Sequence, residues 1–218
     1  MVFKMKTVAI MPIKLNNERL PGKNTMRLAG KPLLQHQLLA TLDTGLADEL
    51  YVYCSDEAVC RYLPSGVFFL KRSEELDSPT TNFTQIFSSF YAQVLADIYV
   101  YVHATAPFVT PQTISKCIRA VQSGEYDSAF CAVKIQDYLW KNGEPLNFDA
   151  ANIPRSQDLE PIYRETSGVY VFTKEVFETC RRRIGRHPFI KEMSFKEAVD
   201  INNPEDFRLA EAMVGLDL

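Results

Sequence analysis

Short apolar runs alternate along nearly the whole chain with stretches in which apolar residues recur at helical spacing. Val8 to Ile13 is a continuous apolar run that predicts a buried strand. Leu33, Leu34, Leu38, Leu39 and Leu42 follow at helical spacing, with Pro32 at the first turn and Gly45 near the end, the placement expected of helix boundaries. Leu50–Cys54 and Val67–Leu70 predict two more strands. Phe83, Ile86, Phe87, Phe90 and Val94 place a helix over Asn82–Leu95. The aromatic stripe of that helix, Phe83, Phe87, Phe90 and Tyr91, belongs to a core. Ile98–His103 is a Tyr- and Val-rich strand, Pro111–Val121 a helix and Ser128–Ile135 a strand. Gly168–Phe172 predicts a strand, followed by a helix through Val176 and Phe177. Ser194–Asn202 ends in a short predicted strand, and Pro204–Met213 is the last helix.

Strand–helix alternation at this rate predicts an α/β class: a mostly parallel sheet covered by helices on both faces. Such sheets bind ligands beyond the carboxyl ends of their strands. The rhythm breaks between Gln136 and Pro161, a polar stretch with Pro145, Pro154, Pro161 and the only tryptophan, Trp140. It reads as an inserted arm on a single domain spanning 1–218, and long loops in compact domains are often functional. No low-complexity segment or solenoid-period repeat interrupts the chain.

Composition narrows the classes. With 218 residues, 46% hydrophobic and 23% charged, the chain is ordinary globular protein. A chain of that length buries roughly 70% of its unfolded surface without needing metals or disulfides. Against 24 Lys+Arg stand 27 Asp+Glu, a formal charge of −3, so no basic tract could neutralise a run of nucleic-acid phosphates. Cys54, Cys60, Cys117, Cys131 and Cys180 are odd in number and lack a C-x-x-C pair, which predicts free thiols in a cytoplasmic protein. Neither they nor His36, His103 and His187 fall at zinc-ligand spacing. The basic then apolar start, Met1 to Ile13, mimics a signal peptide, but no small-residue cleavage site follows and Lys14 ends the run. No apolar run approaches the roughly 20 residues that span a bilayer.

Chemistry gathers after the first strand. Lys14, Arg19 and Lys23 lie within ten residues of its end, Gly22 permits close backbone approach, and Pro21 stiffens the turn. Polyphosphate binding uses such a mixture of point charges and main-chain N–H groups, although the P-loop pattern G-x-x-x-x-G-K-[ST] is absent; a solvated surface loop has the same composition. Near the other end, Asp200 and Asn202 are two apart in the predicted strand and so share a face. Oxygen ligands on one face suit a Mg2+ that keeps most of its waters and borrows phosphate oxygens. The alternative for Asp200 is a capping or turn carboxylate before the last helix, and Asp206 reads as a helix-start residue. His103 ends an apolar strand where a pocket would lie, either as a donor to a ligand or as a satisfied interior histidine. Arg181, Arg182 and Arg183 read as a solvated helix end.

Taken together, these segments resemble the acylneuraminate cytidylyltransferases. Pro12 to Asn24, followed by Leu28-Ala29-Gly30-Lys31-Pro32-Leu33, is similar to the family's I-P-A-R-G-G-S-K-x-L-P-G-K-N and L-x-G-K-P-L, and Leu20-Pro21-Gly22-Lys23-Asn24 matches directly. Further matches follow in order. Cys54-Ser55-Asp56 stands for S-T-D, Arg72 with Glu75-Leu76 for R-P-x-E-L, and Ala104-Thr105-Ala106-Pro107 for Q-P-T-S-P. Arg155 with Gln157-Asp158-Leu159 stands for R-x-Q-D-L-P, and Asp200-Ile201-Asn202 with Glu205-Asp206 for D-I-D-T-x-x-D.

The resemblance implies a Rossmann-like nucleotidyltransferase fold, a homodimer built by the arm, and Mg2+-dependent transfer of CMP from CTP to a sugar acid. Lys23 and Asp200 would be catalytic. Pro12, Lys14, Arg19, Gly22, Lys23, Asn24, Asp56, Arg72 and His103 would surround the nucleotide. Thr105, Arg155, Gln157, Thr166 and Ser167 would face the acceptor, and Asp200 with Asn202 would hold the metal. Departures gather in the acceptor half. Glu18 replaces a Lys, Pro79 an Asp, His103 a Gln and Val109 an Arg; Thr166-Ser167-Gly168 replaces Asn-Gly-Ala, and Asn202 replaces the second metal-binding Asp. A different nonulosonic acid, another acceptor, or nucleotide binding without catalysis fits these departures.

Overall fold

The computed structural model describes residues 5–216; Met1 to Lys4, the start of the basic N-terminus, and the last two residues lie outside them. In chain order the elements are β1 (Thr7–Pro12), β2 (Arg27–Leu28), β3 (Lys31–Pro32), α1 (Leu33–Leu42), β4 (Glu49–Cys54), β5 (Phe68–Lys71), α2 (Phe83–Tyr91) and β6 (Ile98–Val102). After them come α3 (Pro111–Gln122), β7 (Ser128–Ile135), β8 (Trp140–Lys141), β9 (Glu144–Pro145), β10 (Ile162–Thr173), α4 (Lys174–Cys180), β11 (Pro188–Glu192) and α5 (Pro204–Met213).

Seven strands form one sheet in the order β11-β7-β10-β6-β1-β4-β5. Every neighbouring pair is parallel except the two made by β10, which runs antiparallel to β6 and β7. Strand alternation sends Ala9 and Met11 of β1 to one face and Val8 and Ile10 to the other. Leu34 and Leu38 of α1 and Ile114, Cys117 and Ile118 of α3 cover the first face. Phe87 and Phe90 of α2 and Val176 and Phe177 of α4 cover the second. The predicted α/β class and covered, mostly parallel sheet are observed. The aromatic stripe is core as expected: Phe87 is fully buried and meets Tyr99, Phe172 and Phe177 at ring distances of 4.9, 5.0 and 4.6 Å.

Local signals explain the helix starts. Asn82 and Asn203 cap α2 and α5 in reciprocal capping boxes with Gln85 and Asp206. Thr110 caps α3 ahead of a proline in the first turn, which satisfies N–H groups that the helix cannot. Asp206 is thus the helix-start residue the sequence predicts.

Four expectations need correction. The helix over Asn82–Leu95 stops at Tyr91, where the chain turns back toward β6. The strand expected at Gly168–Phe172 begins six residues earlier, at Ile162, through pairing with β7 and a register shift between Glu165 and Tyr170. Strand β11 was not anticipated, because Pro188-Phe189-Ile190-Lys191-Glu192 is a half-polar edge strand. Ser194–Asn202 contains no strand; it crosses the carboxyl ends of the sheet, tied by one main-chain bond from Ile201 N to Thr105 O (2.8 Å).

That crossing segment is held by side chains instead. Ile201 is fully buried against Leu20, Leu28, Leu33, Phe207 and Ala210, a small third core between α1, α5 and the first loop. The Glu197 carboxylate accepts from Thr110 Oγ1 (2.9 Å), Thr113 Oγ1 (2.6 Å) and the Thr110 N–H (3.2 Å) at the start of α3. Burial alone would raise its pKa; these donors bring it below the usual carboxylate value.

The arm leaves the sheet after β7. Its β8–β9 hairpin carries a cluster of Tyr138, Trp140 and Phe148, with Trp140 60% exposed. All five cysteines are free thiols, and Cys117 and Cys131 touch in the core at 3.9 Å. No helix among the described residues is long and apolar enough to cross a membrane.

Candidate active site

The carboxyl ends of β1, β4, β5 and β6 and the start of β10 meet at one edge of the sheet. There the loop after β1 and the crossing segment 194–203 face each other. Gly22 has φ +68°, a conformation costly for any side chain with a Cβ. Its carbonyl accepts from Thr25 N (2.9 Å), Met26 N (3.1 Å) and Thr25 Oγ1 (2.9 Å), which coils Lys23–Thr25 into a single 3₁₀ turn. Asn24 is buried and its Nδ2 donates to Lys14 O (2.8 Å), so the loop is folded back on itself. Between Lys14 and Gly22 no main-chain N–H donates to a protein acceptor among the described residues. A run of unpaired main-chain N–H groups between cations can receive an anion.

The Lys23 Nζ donates to Ile201 O at 2.8 Å, joining the loop to the crossing segment. Burial lowers the pKa of Lys23; Asp200 opposes that effect, while Arg19, exposed on the loop, adds to it. On the Asp200 carboxylate, Oδ2 accepts from Asn202 Nδ2 at 2.8 Å, and Oδ1 is buried with no hydrogen-bond partner. The two side chains meet as their spacing predicts, but through the bend before α5 and not through a strand. Main-chain N–H groups of Asn202 and Asn203 donate to Asp206 at 2.8 and 3.0 Å, which anchors the bend on α5.

A cavity of about 230 Å3 opens here, lined by Pro12, Lys14, Lys23, Asn24, His103 and Thr105 among others. Six residues predicted for a site, from three short stretches of the chain, therefore share one hollow. His103 is half-buried beside Tyr101 and Tyr170, with ring centroids 5.2 and 5.9 Å away. Burial, then the Arg183 guanidinium, pushes its pKa down to about 4, with Asp200 opposing. The imidazole is thus neutral at pH 7 and presents one donor and one acceptor nitrogen.

A second hollow of about 570 Å3 lies on the other side of the loop, lined by Asn16, Ser55, Asp56, Lys71 and Asp77 among others. Beneath it Arg72 is buried and paired with Asp77 at 2.5 Å. Asp77 also accepts from Ser55 Oγ (2.6 Å), and its carbonyl accepts from Lys14 Nζ (2.8 Å). Sequence reasoning missed Asp77, although it organises Arg72, Ser55 and Lys14 together. Two residues upstream of the Pro79 that breaks the family pattern, it supplies a carboxylate in the same turn. Asp56, expected near the nucleotide, caps the following turn by accepting from Ala58 N (2.8 Å) and is exposed at the hollow's rim.

The acceptor-side residues are less gathered. Arg155 and Gln157 stand exposed on the arm, Arg155 ion-paired with Asp158 at 2.7 Å, and neither lines the two hollows. Thr166 turns inward: its hydroxyl donates to Cys131 O (3.0 Å) and touches Met193 Sδ, so alternation leaves Ser167 as the side chain directed away from that packing. A Cβ on Gly168 would come within 3.0 Å of Val109, so two departures from the family pattern pack on each other. Arg183 is not the solvated residue its run suggests. Its guanidinium lies 3.7 Å over the Tyr170 ring and 3.1 Å from the Glu165 carboxylate.

No group of three or more His, Cys, Asp or Glu placed to hold a metal occurs among the described residues. The set at Asp200 is instead one carboxylate oxygen without a partner and one amide, which fits a Mg2+ that takes its other ligands from water and phosphate.

The fold is shared with proteins of known structure. A CMP:2-keto-3-deoxy-manno-octonic acid synthetase complexed with CTP matches 98% of this chain and 100% of its own, with TM-score 0.71 and 18% identity. A 4-diphosphocytidyl-2C-methyl-D-erythritol synthase from Anaerococcus prevotii matches 97% of both chains at TM-score 0.69 and 12% identity. Residues 8–216 match the cytidylyltransferase family model, and the chain belongs to that family. Among curated relatives, N-acylneuraminate cytidylyltransferase A of Danio rerio is 26% identical over 216 residues, covering 94% of this chain and 50% of the relative. The CMP-N,N'-diacetyllegionaminic acid synthase of Legionella pneumophila is 26% identical over 230 residues and covered for 98% of each. The chain thus spans about half the length of the zebrafish relative and nearly all of the Legionella one.

Proposed function

We propose that this protein transfers CMP from CTP to a sugar acid of the nonulosonic or sialic-acid type, releasing pyrophosphate. The observation that carries this reading is the convergence of Lys14, Lys23 and Asn24 of the open-amide loop with His103 and Thr105 in one hollow, where Lys23 is tied to Ile201 O, the carbonyl next to Asp200. A hydroxyl oxygen of the acceptor attacks the α-phosphorus of CTP. The bond from that phosphorus to the bridging oxygen of the β-phosphate breaks, pyrophosphate leaves with the electron pair, and the hydroxyl proton passes to solvent. For a 2-keto-3-deoxy sugar acid the attacking hydroxyl is the anomeric one.

Phosphoryl-type transfer depends on positioning and charge neutralisation more than on covalent help. Lys14, Arg19 and Lys23 neutralise the triphosphate while loop N–H groups receive its oxygens. Arg72, fixed by Asp77, orients the nucleoside. Mg2+ would be held by Asp200, with Asn202 beside it, and would stabilise charge on the departing pyrophosphate. Neutral His103 can hydrogen-bond the nucleotide without repelling Lys23. Thr105 and Ser167 face the acceptor, and Arg155 and Gln157 reach it from the arm. The exposed Tyr138, Trp140, Leu146 and Ile153 of that arm are the surface a homodimer would cover.

Pyrophosphate release is the test, with Mg2+, CTP and N-acetylneuraminic, legionaminic, pseudaminic and 3-deoxy-octulosonic acids, and ATP, GTP and UTP as controls. Release with CTP and one acid establishes the transferase and names its acceptor. A second reading, a cytidylyltransferase for a different sugar or a phosphorylated acceptor, is favoured by the Val109–Gly168 contact. It predicts release only when the panel includes sugar phosphates. CTP binding without release from any acceptor would mark a non-catalytic homologue.

A further inference from the structure

A further hollow, of about 640 Å3, is lined by Phe83, Glu165, Arg181, Arg182 and Arg183 among others. The first turns of α2 stand between it and the hollow of Lys23 and His103: Phe83 lines the one and Ile86 the other. Three arginines there meet a single carboxylate, so the hollow is positively charged. The nucleotide reading uses none of them.

Arg183 is built into this place. Its guanidinium carbon lies 3.7 Å from the centre of the Tyr170 ring and 5.6 Å from that of Phe83. Its Nη2 donates to Glu165 Oε1 at 3.1 Å, and the same oxygen accepts from the Tyr170 hydroxyl at 2.5 Å. A ring thus fixes its face and a carboxylate fixes its edge. For both His103 and Tyr101, the Arg183 guanidinium is the largest influence on ionisation after burial. Arg183 is therefore electrically in touch with the wall of the neighbouring hollow, to which Tyr101 and His103 belong.

A guanidinium carries five N–H donors in a fixed planar fork. One of them is spent on Glu165, the only hydrogen bond of Arg183 among the described residues. The fork matches a carboxylate or a phosphate, which accept two parallel N–H bonds from it. We propose that Arg183 is a specificity-determining residue that binds an oxyanion of the acceptor, carboxylate or phosphate, with Arg181 and Arg182 adding positive charge around it. The inference rests on the transferase reading above and deepens it: the acceptor is selected for a negative charge besides its reacting hydroxyl. It also gives the acceptor side one cation fixed in advance, where Arg155 stands exposed on the arm.

Calorimetric titrations without nucleotide test it. The probes are N-acetylneuraminic acid, 3-deoxy-octulosonic acid, mannose 6-phosphate and inorganic phosphate, with uncharged N-acetylmannosamine as control. Wild type should bind at least one anion, and the neutral sugar about tenfold or more weaker. Arg183→Ala should weaken that anion about tenfold or more and leave the neutral sugar unmoved, so the preference for charge disappears. Arg183→Lys keeps a cation beside Glu165 and guards against an Ala variant that fails to fold. It loses the fork and should recover only part of the affinity. A response to a sugar acid but not to mannose 6-phosphate marks a carboxylate ligand, and the reverse marks a phosphorylated acceptor. Inorganic phosphate can also meet Lys23, so its titration is repeated in Lys23→Ala, where binding that depends on Arg183 should persist. Equal anion binding by wild type and Arg183→Ala, or no anion bound in the millimolar range, would overturn the proposal. CTP titrated in the same way reports on the nucleotide reading separately: its failure to bind would overturn that reading and leave the anion result standing.

Discussion

The nucleotide side and the acceptor side of the candidate site, its first and second rims, are built differently. On the first rim, side-chain hydrogen bonds tie the loop after β1 to the crossing segment and to the turn around Asp77. Lys23 is bound to Ile201, Asn24 to Lys14, Lys14 to Asp77, and Asp77 to Arg72 and Ser55. On the second rim, the arm and the start of β10 leave Arg155 and Gln157 in solvent, and Thr166 is spent on packing. The first rim is organised before a ligand arrives, which lowers the ordering cost of binding. The second is open, so its geometry is set when an acceptor or another subunit meets it. One rim thus suits a constant substrate, the nucleotide, and the other a variable one.

The hardest blow to that comparison would come from its first rim. Lys23→Ala and Asp200→Ala should each cut turnover about 10²-fold or more while circular dichroism shows an intact fold. Wild-type-like turnover in either variant would remove the assignment. Asp77→Ala leaves Arg72 buried without its anion and should lower unfolding free energy by about 3 kcal/mol in urea titrations. It should also raise the KM for CTP, and superimposable urea curves would mean that this rim is not held as described.

Changes on the second rim should be milder. Arg155→Ala removes an exposed pair, so stability should move by less than about 0.5 kcal/mol. The KM for the sugar acid should rise with that for CTP unmoved; a rise in the CTP value would erase the division between the rims.

The smallest effect concerns His103. Its pKa of about 4 lies below the ordinary 6.5, so the unfolded chain takes up the proton first as pH falls. The contribution to stability is fully present above pH 6.5 and lost between 6.5 and 4. His103→Gln should therefore flatten the decline of melting temperature across that window, and an unchanged slope would mean that the ring is solvated.

Periodicity located the strands that run between covered faces, because a parallel sheet buries both sides and leaves long apolar runs in the chain. It could not give the direction of β10 or reveal β11, since strand direction and edge pairing are set by partners far away in sequence. Lys23 and Asn24, which the structure places in one hollow, stood out because they sit in a short dense motif after the end of β1, and Asp200 stood out because it lies two residues before Asn202 ahead of the last helix. Asp77 and Glu197 were not, for each lies in a polar stretch that resembles any solvated turn. Arg183 was misjudged for the same reason: three adjacent arginines look alike until one finds Tyr170 beneath it.

By itself, then, the sequence determined the layered α/β architecture, the helix start at Asp206, the turn at Pro21-Gly22 and the family to which the chain is similar. Those depend on local sterics and on burial patterns that repeat within a few residues. Only the tertiary structure decided that Lys23 would reach the Ile201 carbonyl next to Asp200, that Asp77 would gather Arg72 and Lys14, and that Asn202 would face Asp200 with a nitrogen. Each of these pairings joins a side chain to a partner through packing or a hydrogen bond whose geometry exists only once the sheet is closed.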